Sequence, residues 1–215
     1  MNLSSETVLL VPRKTRERER KVEDVLAAAS QIFARKGFHR SSMEEIARAA
    51  DYATGALYRY FPSKEMLFGE LVERKIERLL AFLKDRVRDT TCPEEALLAM
   101  VIGQVEFARQ DMTLLQIFFE ERLETTLSKE GWQRIEAQHH RLIDWVASGI
   151  KNGQAKGVFR EGDPRLYAIA MQGMLHGLYR DWFGSHRSEQ QSRDDGLFVT
   201  ELFLMGVLKP AASAA

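Results

Sequence analysis

A chain of 215 residues with 45% apolar and 29% charged side chains is a water-soluble composition, long enough to bury a sizeable core in one or two domains. Its 31 Lys/Arg balance 31 Asp/Glu, and a single cysteine, Cys92, excludes an internal disulfide framework and any multi-cysteine metal site. No apolar run approaches the ~18 residues that span a bilayer, and the short apolar patch near the start precedes its charges, the wrong order for a secretory signal, so a reducing cytoplasm is the expected address.

The charge is unevenly placed. Residues 1–64 carry twelve Lys/Arg against eight Asp/Glu, and the remainder nineteen against twenty-three. A basic head on an acidic body suits one-ended contact with a polyanion. Residues 1–15 show no periodicity over most of their length and read as a disordered arm. Within Arg13–Lys21, six positive residues stand against two negative ones, which serves either a solvated helix start or a phosphate-contacting arm.

Val22, Val25, Leu26, Ala29, Ile32 and Phe33 fall at helical spacing, which predicts a first helix over 16–36 with one buried stripe. Gly37 follows Arg35 and Lys36 as its stop. Ser42 and Glu45 spell a capping box, and Met43, Ile46, Ala47 and Ala50 give a second, very short helix an inner face. Asp51, Tyr52 and Ala53 form a turn. Thr54 is expected to cap a third helix whose first turn, Gly55 and Ala56, is nearly bare, so that a phosphate or base edge can approach closely. Leu57 and Phe61 point inward, leaving Tyr58, Arg59 and Tyr60 for another purpose, and Pro62 stops the helix.

Two short helices joined by a tight turn could be a hairpin in a core. The tyrosines flanking an arginine argue otherwise, because such groups bond phosphates or lie against sugars and thymine methyls. Helix, turn, helix is also the geometry that seats a second helix in a major groove.

Residues 33–64 (FARKGFHRSSMEEIARAADYATGALYRYFPSK) resemble the DNA-binding domain of the TetR family of bacterial transcriptional regulators. The resemblance lies in F-x-x-x-G-F at Phe33–Phe38, the hydroxyls of Ser41 and Ser42, Ile46-Ala47, and L-Y-x-Y-F-x-x-K at Leu57–Lys64. Tyr52 departs from the family's usual turn residues. The resemblance implies that helix 3 reads the major groove, with phosphate contacts from Ser42, Tyr60 and Lys64. It further implies base or backbone contacts near Thr54, Gly55, Ala56 and Tyr58; Arg40 and Arg59 join them by charge and position, and Ser41 as one of the matching hydroxyl residues.

From Ser63 a long amphipathic helix carries Leu67, Leu71, Val72, Ile76, Leu79, Leu80, Leu83 and Val87 to about residue 89. Segments 93–109, 111–126, 129–156, 163–184 and 193–208 also read as helices, Asp163 capping one whose first residue is Pro164. The expected fold is all-α: a helix-turn-helix domain over 16–64, then a helical effector-binding and dimerisation domain over 65–215.

Residues Phe107, Leu115, Phe118, Phe119, Leu123, Trp145, Met171, Met174, Leu175 and His176 suit either an ordinary core or an adaptable pocket. The family resemblance favours a pocket for a small apolar or amphipathic effector. His176 and Arg180, one turn apart, could orient a polar group, though a core histidine is the simpler account. Gly173, Gly177 and Trp182 on one helix, and Phe198, Leu202 and Met205 on the last, suit internal packing or, as the resemblance implies, a homodimer interface. A two-fold dimer fits a palindromic operator. Glu136, His140 and Asp144 have metal-compatible spacing but read as a solvated face.

No phosphate loop, nucleophile elbow or catalytic His/carboxylate set is present, so neither an enzyme nor a cofactor is expected. The expected protein is a cytoplasmic, nucleoid-associated, ligand-responsive repressor with double-stranded DNA as partner and no membrane. A DNA-bound protein acting through a protein partner in chromosome organisation or division, and an activator, are the alternatives.

Overall fold

The computed structural model describes residues 12–110, 112, 115, 127–182, 185 and 187–209. Among them are eight helices: α1 (Arg13–Lys36), α2 (Met43–Ala49), α3 (Thr54–Tyr60), α4 (Lys64–Val87), α5 (Pro93–Gln110), α6 (Lys129–Ala155), α7 (Pro164–Trp182) and α8 (Glu189–Val207). The fold is all-α, apart from an isolated antiparallel bridge between Phe159 and Leu208. The helix expected over 111–126 lies largely outside the described residues. The chain divides into two compact units after Leu67, inside α4.

In the first unit α1 starts at Arg13, earlier than its apolar stripe requires. The amides of Thr15 and Arg16 bond the carbonyl of Pro12 at 2.9 and 3.1 Å. Its stripe, including Val25, Leu26, Ile32 and Phe33, is buried. The helix ends where Gly37 takes a φ of 77° and its amide bonds the Phe33 carbonyl at 2.8 Å, a left-handed stop that glycine adopts without steric cost.

The capping box of α2 is complete. Ser42 Oγ accepts from the Glu45 amide and Glu45 Oε2 from the Ser42 amide, both at 3.2 Å. Asp51 takes a φ of 59° in the turn that follows. Tyr52 closes the turn twice, its amide bonding the Ala47 carbonyl at 2.8 Å and its hydroxyl reaching Asp24 Oδ2 on α1 at 3.4 Å. The cap of α3 differs from expectation: Ala53 holds the N-cap position and Thr54 is the first helical residue, with no side-chain cap. The Ala53 carbonyl already receives the amides of Ala56 and Leu57, so the helix begins one residue sooner. Ile46, Ala47, Leu57, Phe61 and Leu67 close the core under α2 and α3.

The second unit is built on close helix approach. A Cβ at Gly103 would meet Leu83 Cδ2 at 2.7 Å, and one at Gly196 would meet Val105 Cγ2 at 3.0 Å. Glycine at these points lets α5 pack tightly on α4 and α8. Arg134 of α6 donates to Glu70 at 2.6 Å and Glu73 at 2.8 Å on α4, a partly buried clamp stronger than a surface pair. Phe159 is fully buried against Gly153, whose missing side chain makes the space.

Asp163 Oδ1 accepts from the Arg165 amide at 2.8 Å, and α7 starts at Pro164 as read. Its described span is Pro164–Trp182; the last two residues expected for it lie outside the described residues. Helix α8 starts at Glu189, four residues earlier than expected, because Ser188 and Gln191 form a second capping box.

Candidate nucleic-acid interface and ligand cavity

On the first unit, α3 buries Leu57 and turns Tyr58 outward, 44% exposed, with Arg59 exposed beside it. Gly55 is exposed, and a Cβ added there would meet nothing within 4 Å. Packing does not require a glycine at that position, and helix propensity opposes one, so a bare spot here suits close approach from outside. Ala56, Thr54 and Tyr60 are half-buried. The Arg18 guanidinium lies 5.9 Å from the Tyr60 ring centroid, holding a basic group from α1 beside α3.

Other expected contact residues are used internally. Ser41 is buried, and its hydroxyl donates to the Phe38 carbonyl at 2.6 Å. Arg40 Nε donates to the last carbonyl of α1, Lys36, at 2.9 Å. Lys64 Nζ donates to the carbonyls of Phe38 at 2.6 Å and Ser41 at 2.8 Å, and lies 4.5 Å from the Phe38 ring centroid. The ammonium therefore ties the start of α4 to the α1–α2 connection. Ser42 is half-buried, its oxygen engaged in the cap. Glu45, half-buried beside Lys36, is held below the usual carboxylate range, chiefly by its bond from Lys36.

The second unit holds a half-open cavity of about 140 Å³. Apolar walls come from α4 (Phe68, Val72, Ile76, Leu79), α5 (Phe107, Ala108) and α6 (Ile135, Leu142), with Leu115 at one side. One stripe of α7 faces it: Gln172, His176 and Tyr179, spaced i, i+4, i+7. Gln104, His139 and Lys75 complete the polar lining among the described residues. Gln172 Nε2 donates to Gln104 Oε1 at 2.9 Å, while Gln104 Nε2 and the Tyr179 hydroxyl are buried without a partner among the described residues.

The rings of His139 and His176 lie 5.6 Å apart. Burial first, then His139, pushes His176 down to about 4. Burial first, then His140 and Arg165, lowers His139. Burial alone raises the Tyr179 phenol. Both imidazoles are thus neutral near pH 7, and Tyr179 is a donor throughout the physiological range.

Of the expected pocket residues, the cavity brings together Phe107, Leu115 and His176. Met171 and Leu175 are fully buried in the surrounding core, and Met174 packs against it. They face the core because they sit at other angles on α7 than the stripe of 172, 176 and 179. Trp145 lines a separate hollow with Met100 and Phe159. Phe118, Phe119 and Leu123 lie outside the described residues. Arg180 is exposed and does not join His176. The sequence reading missed the α4 wall, Gln104, Gln172, His139 and Tyr179. The stripe on α7 was a usable signal; the pairing of α5 with α7 was not.

An apolar face remains uncovered. Phe198 (65% exposed), Leu202 and Met205 (74%) lie one to two turns apart on α8, and Leu166 and Ile169 stand out on α7. Gly173 and Gly177 are exposed, with open space where a Cβ would be. Trp182 does not belong to this face: it is buried, and its indole donates to Asp195 Oδ2 at 3.0 Å. The helix register turns its large side chain inward, against α8.

No described helix is long and apolar enough to cross a membrane. In the expected Glu136–His140–Asp144 row, Asp144 pairs with Arg165 of α7.

Residues 25–71 match the family described as bacterial regulatory proteins, tetR family. Residues 90–186 match the tetracyclin repressor-like C-terminal domain. The HTH-type transcriptional repressor NicS of Pseudomonas putida is 26% identical over 203 residues, 90% of this chain and 95% of that protein. The nucleoid occlusion factor SlmA of Haemophilus ducreyi is 32% identical over 114 residues, 53% of this chain and 55% of SlmA. The fatty acid degradation regulator FadR of Bacillus halodurans is similar in structure, with a TM-score of 0.76 and 25% identity over 86% of this chain and 95% of that one. The helix-turn-helix head, the helical body behind it and both family matches agree, and the chain belongs to the TetR family of bacterial helix-turn-helix transcriptional regulators.

Proposed function

We propose that the protein is a dimeric repressor that leaves its operator when a small apolar or amphipathic effector fills the cavity of the second unit. The observation that carries this reading is that cavity, walled along one side by α4, whose first residues, Lys64–Leu67, belong to the head. Its volume is that of a site for a ring or a short acyl segment, since an apolar cavity of about 150 Å³ accepts benzene. An effector that fits one position of α4 better than another shifts the balance between operator-competent and incompetent states by that difference in affinity.

In this reading, α3 enters the major groove with Gly55, Ala56 and Tyr58 near base edges, while Thr54, Arg59, Tyr60 and Ser42 serve the backbone. Lys64, Ser41 and Arg40 position these groups from behind. The uncovered face of Phe198, Leu202, Met205, Leu166 and Ile169 pairs two subunits, Gly173 and Gly177 letting the helices approach. Two copies of α3 then meet half-sites ~34–36 Å apart on a palindromic operator, in the cytoplasm at the nucleoid. Likeness to NicS along nearly the whole chain supports repression rather than activation.

The likeness to SlmA favours a second reading, action through a protein partner on bound DNA, but it spans only about half of that protein. A mobility-shift titration on a selected operator, repeated across apolar metabolites, separates the two. Release by at least one compound, accompanied by a rise in Tm, supports the effector reading. Operator binding indifferent to every compound, with no co-purified ligand in native mass spectrometry, refutes it.

A further inference from the structure

Helix α1 begins at Arg13, well before Val22, the first of its buried residues. The intervening segment, Arg13–Lys21, adds about 13 Å of helix and carries six cations against two carboxylates. All six cations are exposed. The family match begins only at residue 25 and assigns nothing to this segment.

Electrostatics within the helix do not favour such a start. The first turn holds no acid, and cations there meet the positive end of the helix dipole. Lys14 and Arg18 are like charges one turn apart, as are Arg16 and Arg20. Only Arg13 has its charge offset along the helix by a printed pair, with Glu17 at 2.6 Å. Positive charge of this density points to something outside the helix.

The helix register says which side. At 3.6 residues per turn, Lys14 and Arg18 fall in line with Val25 and Ile32 of the buried stripe, and Lys21 lies close to that line. The face of α1 that is apolar where the head covers it becomes basic where the helix runs on. Arg18 joins that basic strip to α3, its guanidinium 5.9 Å from the Tyr60 ring centroid. Helix α3 itself brings Arg59 and no carboxylate.

Resting on the docking of the head through α3, we propose that the exposed start of α1 is a second DNA-contacting surface. In it Lys14, Arg18 and Lys21 hold phosphates of the duplex flanking the bases that α3 reads. Flexible cations on one helix face suit a backbone whose charges repeat along the duplex, and they carry no sequence preference.

The test uses the full-length protein and two probes. One is a duplex selected by the native protein from a random-sequence pool; the other is the same duplex trimmed to its two half-sites. Lys14→Gln/Arg18→Gln removes two charges from the strip. Arg16→Gln removes one from the opposite side of the same helix turn and serves as the control. Both variants should keep the native helix content and a Tm no lower than native, since they relieve repulsion at a helix start. On the long duplex the double variant should bind about tenfold or more weakly, with the slope of log K against log salt lowered by about two units per subunit. Arg16→Gln should change affinity by less than about twofold. Trimming the duplex should cost the native protein several-fold and the double variant little.

Unchanged affinity and salt slope in the double variant overturn the proposal and leave a solvated helix start. An equal loss per charge in Arg16→Gln overturns it in favour of a diffuse field. Weaker binding with an unchanged slope overturns it in favour of an indirect effect on the head. A native protein that binds neither duplex in a salt-dependent way overturns the docking of α3 as well.

Discussion

Lys64 Nζ donates to the Phe38 carbonyl at 2.6 Å while sitting 4.5 Å from the centroid of that residue's ring. One side chain thus fastens the first turn of α4 to the connection between α1 and α2, and a second bond to Ser41 O at 2.8 Å fixes the residue before the α2 cap. The resemblance implies a phosphate ligand at this lysine; we propose that it acts as a brace instead. Lys64→Met should lower head stability by about 1–3 kcal/mol through two orphaned carbonyls. Operator affinity should weaken for all sequences, with the slope of log K against log salt nearly unchanged. A direct phosphate ligand would instead lower that slope by about one unit. Salt-dependent fluorescence anisotropy on the variant distinguishes the two.

Gly55 should show opposite signs for stability and binding. Gly55→Ala places a methyl where the protein has open space, so it should stabilise α3 by about 0.5–1 kcal/mol. The same methyl stands where DNA is proposed to approach, and operator affinity should fall by about tenfold or more. Chemical denaturation and mobility shift on one preparation check both. A variant that is more stable and binds equally well would remove Gly55 from the interface.

Phe198 and Leu202 are large apolar side chains on an uncovered face. Replacing both with glutamate should leave helix content and the buried core intact, since neither residue supports its own subunit. Sedimentation velocity should shift from dimer to monomer, and affinity for a palindrome should drop toward that for a single half-site. A double variant that still sediments as a dimer would place the subunit contact elsewhere.

His176 makes stability depend on pH. Its pKa is pushed from the ordinary 6.5 to about 4 in the folded chain, by burial and then by His139, so the unfolded chain binds the proton more readily. Stability should be full above about pH 6.5 and fall as pH drops toward 4, by on the order of 3 kcal/mol. His139, itself lowered by burial, His140 and Arg165, acts in the same direction. His176→Gln should flatten the Tm profile across that window, measured against the native protein by calorimetry.

The head was legible because its determinants are local. The apolar stripe of α1, the Gly37 stop and the Ser42–Glu45 box each act within a few residues, and each stands in the structure where the sequence places it. The α3 start moved by one residue because Ala53 takes the cap without a side-chain bond. The α8 start moved by four because the Ser188–Gln191 box outreaches the apolar periodicity.

The ligand cavity was less legible. Phe107, Leu115 and His176 follow from their type and place, but Met171 and Leu175 do not line it, although they look as suitable. A residue's type says that it is buried; only its angle on α7 says whether it meets a neighbour or a space. The sequence by itself determined the family, the all-α fold and the residues that α3 turns outward, because helix periodicity and capping are properties of neighbouring residues. The tertiary structure decided that Lys64 reaches the Phe38 and Ser41 carbonyls, that Trp182 is buried with its indole on Asp195, and that Gln104 and Tyr179 line one cavity. Those relationships join residues 26, 13 and 75 positions apart in the chain, and packing between helices, not local spacing, sets them.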